Sequence, residues 1–332
     1  MKSFRILFTV VVMTTTVCHA QEPQSFTEDF RNAIRSGAKI MFTVKIVDDL
    51  GNPVTNAAIV TSFHRAKDTA ILFQGLSDSN GMCVVDGVST RSMLGTVLKD
   101  RYYTSTFQFM PGDFNILDYG GSSSKVYYDS KVKDGRWLPW NPTIPVILKK
   151  IREPVHMIHS RKDVKIPQFD KHLEFDLEKG DWVAPNGGGR IPDMVVRFEK
   201  VNEDTPFRMI TVEFPGSMNG AYLQRKDDYS VLKSIYRASP DAPYAQRIEN
   251  ANSVRGPVHV LLGSGDYLVF RARSVIDENG NLVAAHYGKI YGPLDYYVMA
   301  RNKLRLIYYF NPNINDTNLE FDGRSWGEQW GR

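Results

Sequence analysis

The chain has 332 residues, 42% hydrophobic and 23% charged, a composition that excludes a disordered chain and leaves room for two domains of about 100–200 residues each. Its 41 basic and 37 acidic residues give a formal charge of only +4, so no basic face for nucleic acid is implied. With 12% aromatics, 25 Gly and 17 Pro scattered along its length, it reads as many short elements separated by turns, a β-rich protein.

Met1 to Ala20 has the anatomy of a secretory signal: Lys2 and Arg5, an apolar run from Ile6 to Val17, and small residues at Cys18 and Ala20 ahead of a cut before Gln21. The run falls short of the ~20 apolar residues of a spanning helix, and no later stretch reaches that length, so no membrane span is expected. Lipidation of Cys18 is the alternative, but Val17 stands where a small residue normally precedes a lipidated cysteine. The expected product is secreted or periplasmic. It retains one cysteine, Cys83, which excludes an internal disulfide and, between Met82 and Val84, reads as core.

Residues 21–38 carry a short helix, opened by the capping box Ser25-Phe26-Thr27-Glu28 and stopped by Gly37, with Phe26, Phe30, Ala33 and Ile34 on one face. From Lys39 the period becomes two, with Phe42, Val44 and Ile46 alternating with polar residues until the turn Asp48-Asp49-Leu50-Gly51-Asn52-Pro53. Strands follow at Ala57 to His64, at Met82 to Val85 after the turn Ser77-Asp78-Ser79-Asn80-Gly81, along Gly95 to Phe109, and at Pro145 to Ile151. These predict a β-sandwich over 39–153.

The series Val44-Lys45-Ile46-Val47-Asp48, Gly51-Asn52-Pro53-Val54, Ala57-Ala58-Ile59-Val60, Ser77-Asp78-Ser79-Asn80-Gly81 and Asp100-Arg101-Tyr102-Tyr103 resembles the carboxypeptidase regulatory-like domain, a transthyretin-like β-sandwich module. Ser77 and Arg101 depart from it, standing where that family usually has Thr and Gly. The whole arrangement also resembles secreted bacterial proteins that carry this module at their N-terminus. The resemblance implies a fold and supplies no activity, since the module accompanies enzymes, receptors and adhesins alike.

Residues 154–322 are strand-rich again. Met194, Val196 and Phe198, then Ile210, Val212 and Phe214, then Leu304, Leu306, Tyr308 and Phe310 alternate with their neighbours. Tyr267 to Ile276 and Leu282 to Tyr291, joined by Asp277-Glu278-Asn279-Gly280, form the clearest hairpin. The predicted fold is therefore all-β: two antiparallel β-sandwich domains, the first Ig-like or transthyretin-like and the second jelly-roll-like, with residues 323–332 as a tail.

No H-E-x-x-H, G-x-S-x-G or P-loop pattern occurs, so no cofactor is expected. His156 and His159 are three apart, which in a strand puts them on opposite faces, and no third ligand is evident, so no metal is expected. Asp78-Ser79-Asn80-Gly81 and Asp277-Glu278-Asn279-Gly280 lack the bidentate Glu of a calcium loop and read as turns. Asn186-Gly187-Gly188-Gly189-Arg190 could cradle an anion, yet no helix follows, and a flexible loop is the simpler reading. Carboxylates for a hydrolase are plentiful, among them Glu174, Asp176, Glu178, Asp181, Glu199, Glu213, Glu320 and Asp322, but sequence spacing does not pair them.

The candidate ligand-binding residues are Trp137, Trp140, Tyr102 and Tyr103, whose rings would stack sugars if they face solvent and fill the core if they do not. The leading expectation is a non-catalytic binding or scaffolding protein of the cell envelope or exterior, its partner a glycan or a protein. A secreted hydrolase with an acidic pair in the second domain, and an adhesin or complex subunit pairing through strand edges, are the alternatives.

Overall fold

The computed structural model describes residues 28–65, 70–109, 132–161, 163–199, 207–225, 230–253, 262–263, 265–297 and 302–322. The expected signal segment 1–20, its expected cut at Ala20 and Gln21, the expected capping residues Ser25 to Thr27 and the tail 323–332 lie outside them. No helix among the described residues is long and apolar enough to cross a membrane. Helix α1 (Glu28–Ser36) has Glu28 and Asp29 in its first turn and Arg35 in its last, matching the helix dipole, and buries Phe30 and Ala33. Gly37 ends it at φ +91°, as the sequence predicts, while Ile34 stays exposed.

β1 (Ala38–Asp48) is the spine of the first sheet. One edge pairs antiparallel with β4 (Met82–Ser89). The other edge takes β8 (Arg136–Trp137) at Lys39 and β9 (Thr143–Leu148) from Thr43 to Asp48, with β7 (Val132–Lys133) outside β8. The β8 and β9 pairings are parallel, which corrects the wholly antiparallel expectation. A parallel partner needs a long return of the chain, and β9 comes back to β1 only after the whole second sheet has been traced.

That second sheet is antiparallel, ordered β3 (Ala70–Leu76), β2 (Ala58–His64), β5 (Met93–Leu98), β6 (Ser105–Phe109). The predicted run from Gly95 to Phe109 is broken in two by a turn in which Arg101 takes φ +61°. Phe42, Val44 and Ile46 from the first sheet meet Ile59, Phe63, Val97 and Phe107 from the second in one buried core. Fully burying such a side chain contributes about 1.5–3 kcal/mol. Phe107 lies across its strand partner Gly95, where any Cβ would come within 2.1 Å of the ring, so only glycine fits.

In the second half, β10 (Ile158–Ser160) and β11 (Asp163–Lys165) pair with successive stretches of β20 (Lys303–Phe310). The sheet continues through β19 (Leu282–Tyr297), β18 (Asp266–Ile276) and β16 (Gly220–Arg225). Here β18, β19 and β20 are consecutive neighbours, a meander, where the jelly-roll expectation has the chain crossing between sheets. The facing sheet is ordered β13 (Asp181–Trp182), β12 (His172–Asp176), β14 (Met194–Phe198), β15 (Phe207–Glu213), β17 (Arg247–Ser253). Between the sheets lies a core that includes Phe175, Trp182, Phe198, Phe270, Tyr296 and Phe310. The other face of the β16–β20 sheet is also covered: Tyr222, Tyr267, Tyr287, Tyr291 and Tyr309 form a second buried layer with Met157, Ala238 and Leu319. Coverage on both faces explains why Tyr267 to Arg271 is a continuous buried run rather than an alternating one.

The two halves meet through polar contacts. Glu320, buried, accepts at Oε1 from the Tyr103 hydroxyl (3.0 Å) and the Arg152 amide (2.8 Å), and at Oε2 from the Glu153 amide (2.8 Å). Lys149 Nζ donates to the carbonyls of Leu232 (3.0 Å) and Ser234 (3.2 Å). The Arg152 guanidinium lies 3.8 Å over the Tyr236 ring, whose hydroxyl donates to Lys150 O.

One turn device recurs at Asp48, Asp78 and Asp277. In each, Asp Oδ1 accepts the amides two and four residues on, and a glycine three residues on takes a positive φ. Asp78 and Asp277 thus close the turns that the sequence reads there, and Asp48 does the same in its own.

Candidate functional site

The four aromatic candidates do not converge. Trp137 is 1% exposed: its indole Nε1 donates to Ser89 O at 2.7 Å and its ring meets Phe30 edge-on at 6.0 Å. It is a core residue, and the expectation of a sugar-stacking face there is corrected, because β8 turns successive side chains to opposite sides and Trp137 is the inward one. Trp140 is 37% exposed, with the Arg136 guanidinium 5.0 Å over its ring. Tyr102 packs against the first core and bridges to Lys150, and Tyr103 is held by Glu320 at the joint between the halves.

Most of the carboxylates named in the sequence are engaged in the fold, while Glu174 stands exposed on β12. Asp176 accepts four backbone amides, Glu178 and Lys179 at Oδ1 and Arg190 and Ile191 at Oδ2. Asp181 accepts the amides of Trp182 and Gly188. The Gly187–Gly189 loop does cradle anions, therefore, and the anions are the protein's own. It is tied down by Gly188 N donating to Asp181 Oδ2 and Gly189 N to Trp182 O, both at 2.8 Å, and it passes so close that a Cβ at Gly187 would fall 2.5 Å from Trp182 O. Burial would raise the Asp176 carboxyl, but the amides of Arg190, Lys179 and Ile191 together with Arg273 outweigh it and hold it below the usual value. Glu199 pairs with Arg197, Glu213 with Arg247, and Asp322 lies 3.7 Å from His156. His159 stacks on Tyr309. Among the described residues no group of three or more His, Cys, Asp or Glu is placed to hold a metal ion.

Ser234 Oγ and Lys289 Nζ, 2.8 Å apart, have the spacing of a nucleophile and its base. Both are buried, and Lys289 also donates to Leu319 O between the rings of Tyr291 and Tyr309. Burial, reinforced by Lys149, pushes the ammonium well below its usual range, against the pull of Glu320. With Ser234 0% and Lys289 1% exposed, the pair lies inside the joint.

An open concavity lies at the side of the second sandwich. β16 and β17 are the outer strands of the two facing sheets, tied together where Ala221 and Ala245 exchange two backbone hydrogen bonds of 2.9 Å. Beyond that bridge lies a cleft of about 600 Å³, within the range of small-ligand sites. Ala221, Ile248 and Leu268 form its apolar floor, Ala242 and Pro243 one wall, and Gln224, Arg247 and Glu249 its polar rim. The wall is braced: Ser239 N donates to the Tyr222 hydroxyl (3.3 Å), Tyr244 OH donates to Ser239 O (2.9 Å), and the Arg271 guanidinium lies 4.1 Å from the Tyr244 ring. On the rim, Arg247 bridges Glu213 (2.8 Å) and Glu249 (2.7 Å). Sequence reasoning singles out none of the cleft residues. Its one signal is Arg247-Ile248-Glu249, two charges flanking an apolar residue at strand period.

No family model matches the chain, and no curated protein does. Solved structures similar to it include 3-chlorocatechol 1,2-dioxygenase from Rhodococcus opacus, 13% identical, covering 38% of this chain and 63% of that one at a TM-score of 0.26. Wild-type catechol 1,2-dioxygenase from Acinetobacter radioresistens is 16% identical, covering 35% of this chain and 53% of that one at a TM-score of 0.26. The chain thus spans only part of the length of these dioxygenases. A candidate carbohydrate binding protein from Bacteroides uniformis is 9% identical, covering 84% of this chain and 100% of that one at a TM-score of 0.18. At these scores the likenesses carry no function to this chain.

Proposed function

We propose that the chain is an exported, non-catalytic binding protein that takes a neutral glycan in the cleft between β16 and β17. The observation that carries this reading is the cleft itself, where an apolar floor faces a rim offering both donors and acceptors. A sugar presents the complementary pair of surfaces, a C–H face and an edge of hydroxyls. Gln224, Arg247 and Glu249 are the residues assigned to the hydroxyls, and the floor with Tyr222 to the C–H face. The first sandwich is then the accessory module that its resemblance to the carboxypeptidase regulatory-like domain implies, and the signal segment accounts for export.

A glycan array probed with the full chain tests this. Hits are expected, and Ala242→Trp, which fills the cleft, and Arg247→Ala, which strips its rim, should each weaken them at least tenfold. Arg247 is exposed and its ion pairs are worth little to the fold, so the melting temperature should hardly move. An array without hits, or binding indifferent to both substitutions, overturns the assignment. Turnover of a bound glycan by the purified protein would favour the hydrolase reading instead.

A further inference from the structure

The second sheet of the first sandwich turns one face to its core and the other to solvent, and charged groups enter the solvent face only at its end, where His64, opposite Ala70, lies 3.1 Å from the Arg91 guanidinium. Across its first row stand Leu76, Ala58 and Leu98, since Ala58 pairs with both leucines. The second row is Gln74, Val60, Thr96 and Thr106. The third sets Leu72 beside Ser62 and Leu94 beside Gln108. Leucines occupy the corners and are well exposed: Leu72 61%, Leu76 63%, Leu94 68% and Leu98 42%. The solvent side of the neighbouring sheet is ordinary by comparison, with Lys39, Lys45 and Asp86 exposed.

The edge of this sheet is equally unguarded. β3, Ala-Ile-Leu-Phe-Gln-Gly-Leu, has no charge and no proline, and most of its residues are exposed. Exposed edges are normally protected by lysine, proline or a bulge, and β3 pairs with β2 without any register break. A neutral leucine-cornered face beside a neutral edge marks an interaction surface.

Its chemistry selects the partner. Nucleic acid and anionic lipid are excluded because no Lys or Arg stands on the rows, and a stacked sugar because no aromatic ring does. A charged protein partner would find only Arg91, at the end of the face, to pair with. A second copy of the face is complementary to it, since leucine corners can pack into the low Ala58, Ser62 and Thr96 positions of the other copy and no like charges meet. Four strands about 4.8 Å apart and rows about 7 Å apart give a footprint of roughly 400–450 Å², and more in accessible area, approaching the ~800 Å² per partner of a standard interface.

We infer that the Leu72–Leu76–Leu94–Leu98 face is the self-association surface of a symmetric dimer of this chain. The inference is independent of the glycan reading, which concerns the other sandwich. Sedimentation velocity of the full chain from about 1 to 100 µM should show a monomer–dimer equilibrium that persists at high salt. Leu72→Lys with Leu94→Lys should raise the dissociation constant at least a hundredfold, because a two-fold interface meets each new charge twice. Both side chains are exposed, so the monomer should keep its melting temperature. A chain that stays monomeric at about 100 µM overturns the proposal. A dimer untouched by the lysines overturns it as well, and a lysine variant that is monomeric but melts much lower shows instead that another part of the same chain covers the face.

Discussion

Arg273→Met should destabilise the second sandwich by about 3–5 kcal/mol, the cost of stranding buried carboxylates, out of a total near 5–15 kcal/mol. Arg273 takes φ +54° at the irregularity in the β18–β19 pairing, and its side chain reaches back to the β12–β14 region. There Nε donates to Asp193 Oδ1 (2.8 Å), Nη2 to Asp193 Oδ2 (3.0 Å), and Nη1 to Glu178 (2.6 Å). Burial pushes the Asp193 carboxyl up against the pull of this guanidinium. Without Arg273 the buried carboxylate keeps the Leu177 amide, and it must take up a proton or stay charged without a counter-ion. Urea denaturation at neutral pH measures the loss, and a change below about 1 kcal/mol would overturn the assignment. A pH series adds a sign test. Asp176, held below its unfolded value of 3.8, contributes stability that is complete above that value and is lost as the pH falls through its lower folded one.

Glu320→Ala should cost about 3–5 kcal/mol and split one melting transition into two. The substitution leaves the amides of Arg152 and Glu153 and the hydroxyl of Tyr103 without their shared acceptor at a buried joint. It also removes the acid whose charge favours the Lys289 ammonium against burial. Glu320→Gln should cost less, since it keeps the oxygen that serves Tyr103 and Arg152 and turns an N–H only toward Glu153. Differential scanning calorimetry reads both effects. A single transition at the parent temperature in the alanine variant would show that the halves do not depend on this carboxylate.

Much of the fold was legible because it is written locally. Each Asp-x-x-Gly turn is closed by its own aspartate, so Asp48, Asp78 and Asp277 mark strand ends without reference to anything distant. Alternation located β14, β15 and β20 for the same reason. What escaped depends on partners far along the chain. β3 has no alternation, being an exposed edge, and reads as nothing in particular. The parallel return of β9 onto β1 leaves no trace in either strand. Trp137 and Trp140 look alike in sequence, and only the inward turn of β8 onto Phe30 and Ser89 separates them. The candidate cleft is assembled from residues between Ala221 and Leu268, none part of a motif, and Asp176 meets Arg273 across 97 residues.

The double coverage of the β16–β20 sheet fixes the order in which the molecule can come apart. With one face against the facing sheet and the other under the tyrosine layer, the amides of the covered stretch of β18, Tyr267 to Ala272, and of its partners on β19 reach solvent only when both layers lift, whereas those on the outer side of β3 need no opening at all. In a hydrogen-exchange experiment the central strands should therefore keep the slowest clock in the protein, one that reports its global stability, while β3 keeps the fastest of the paired strands.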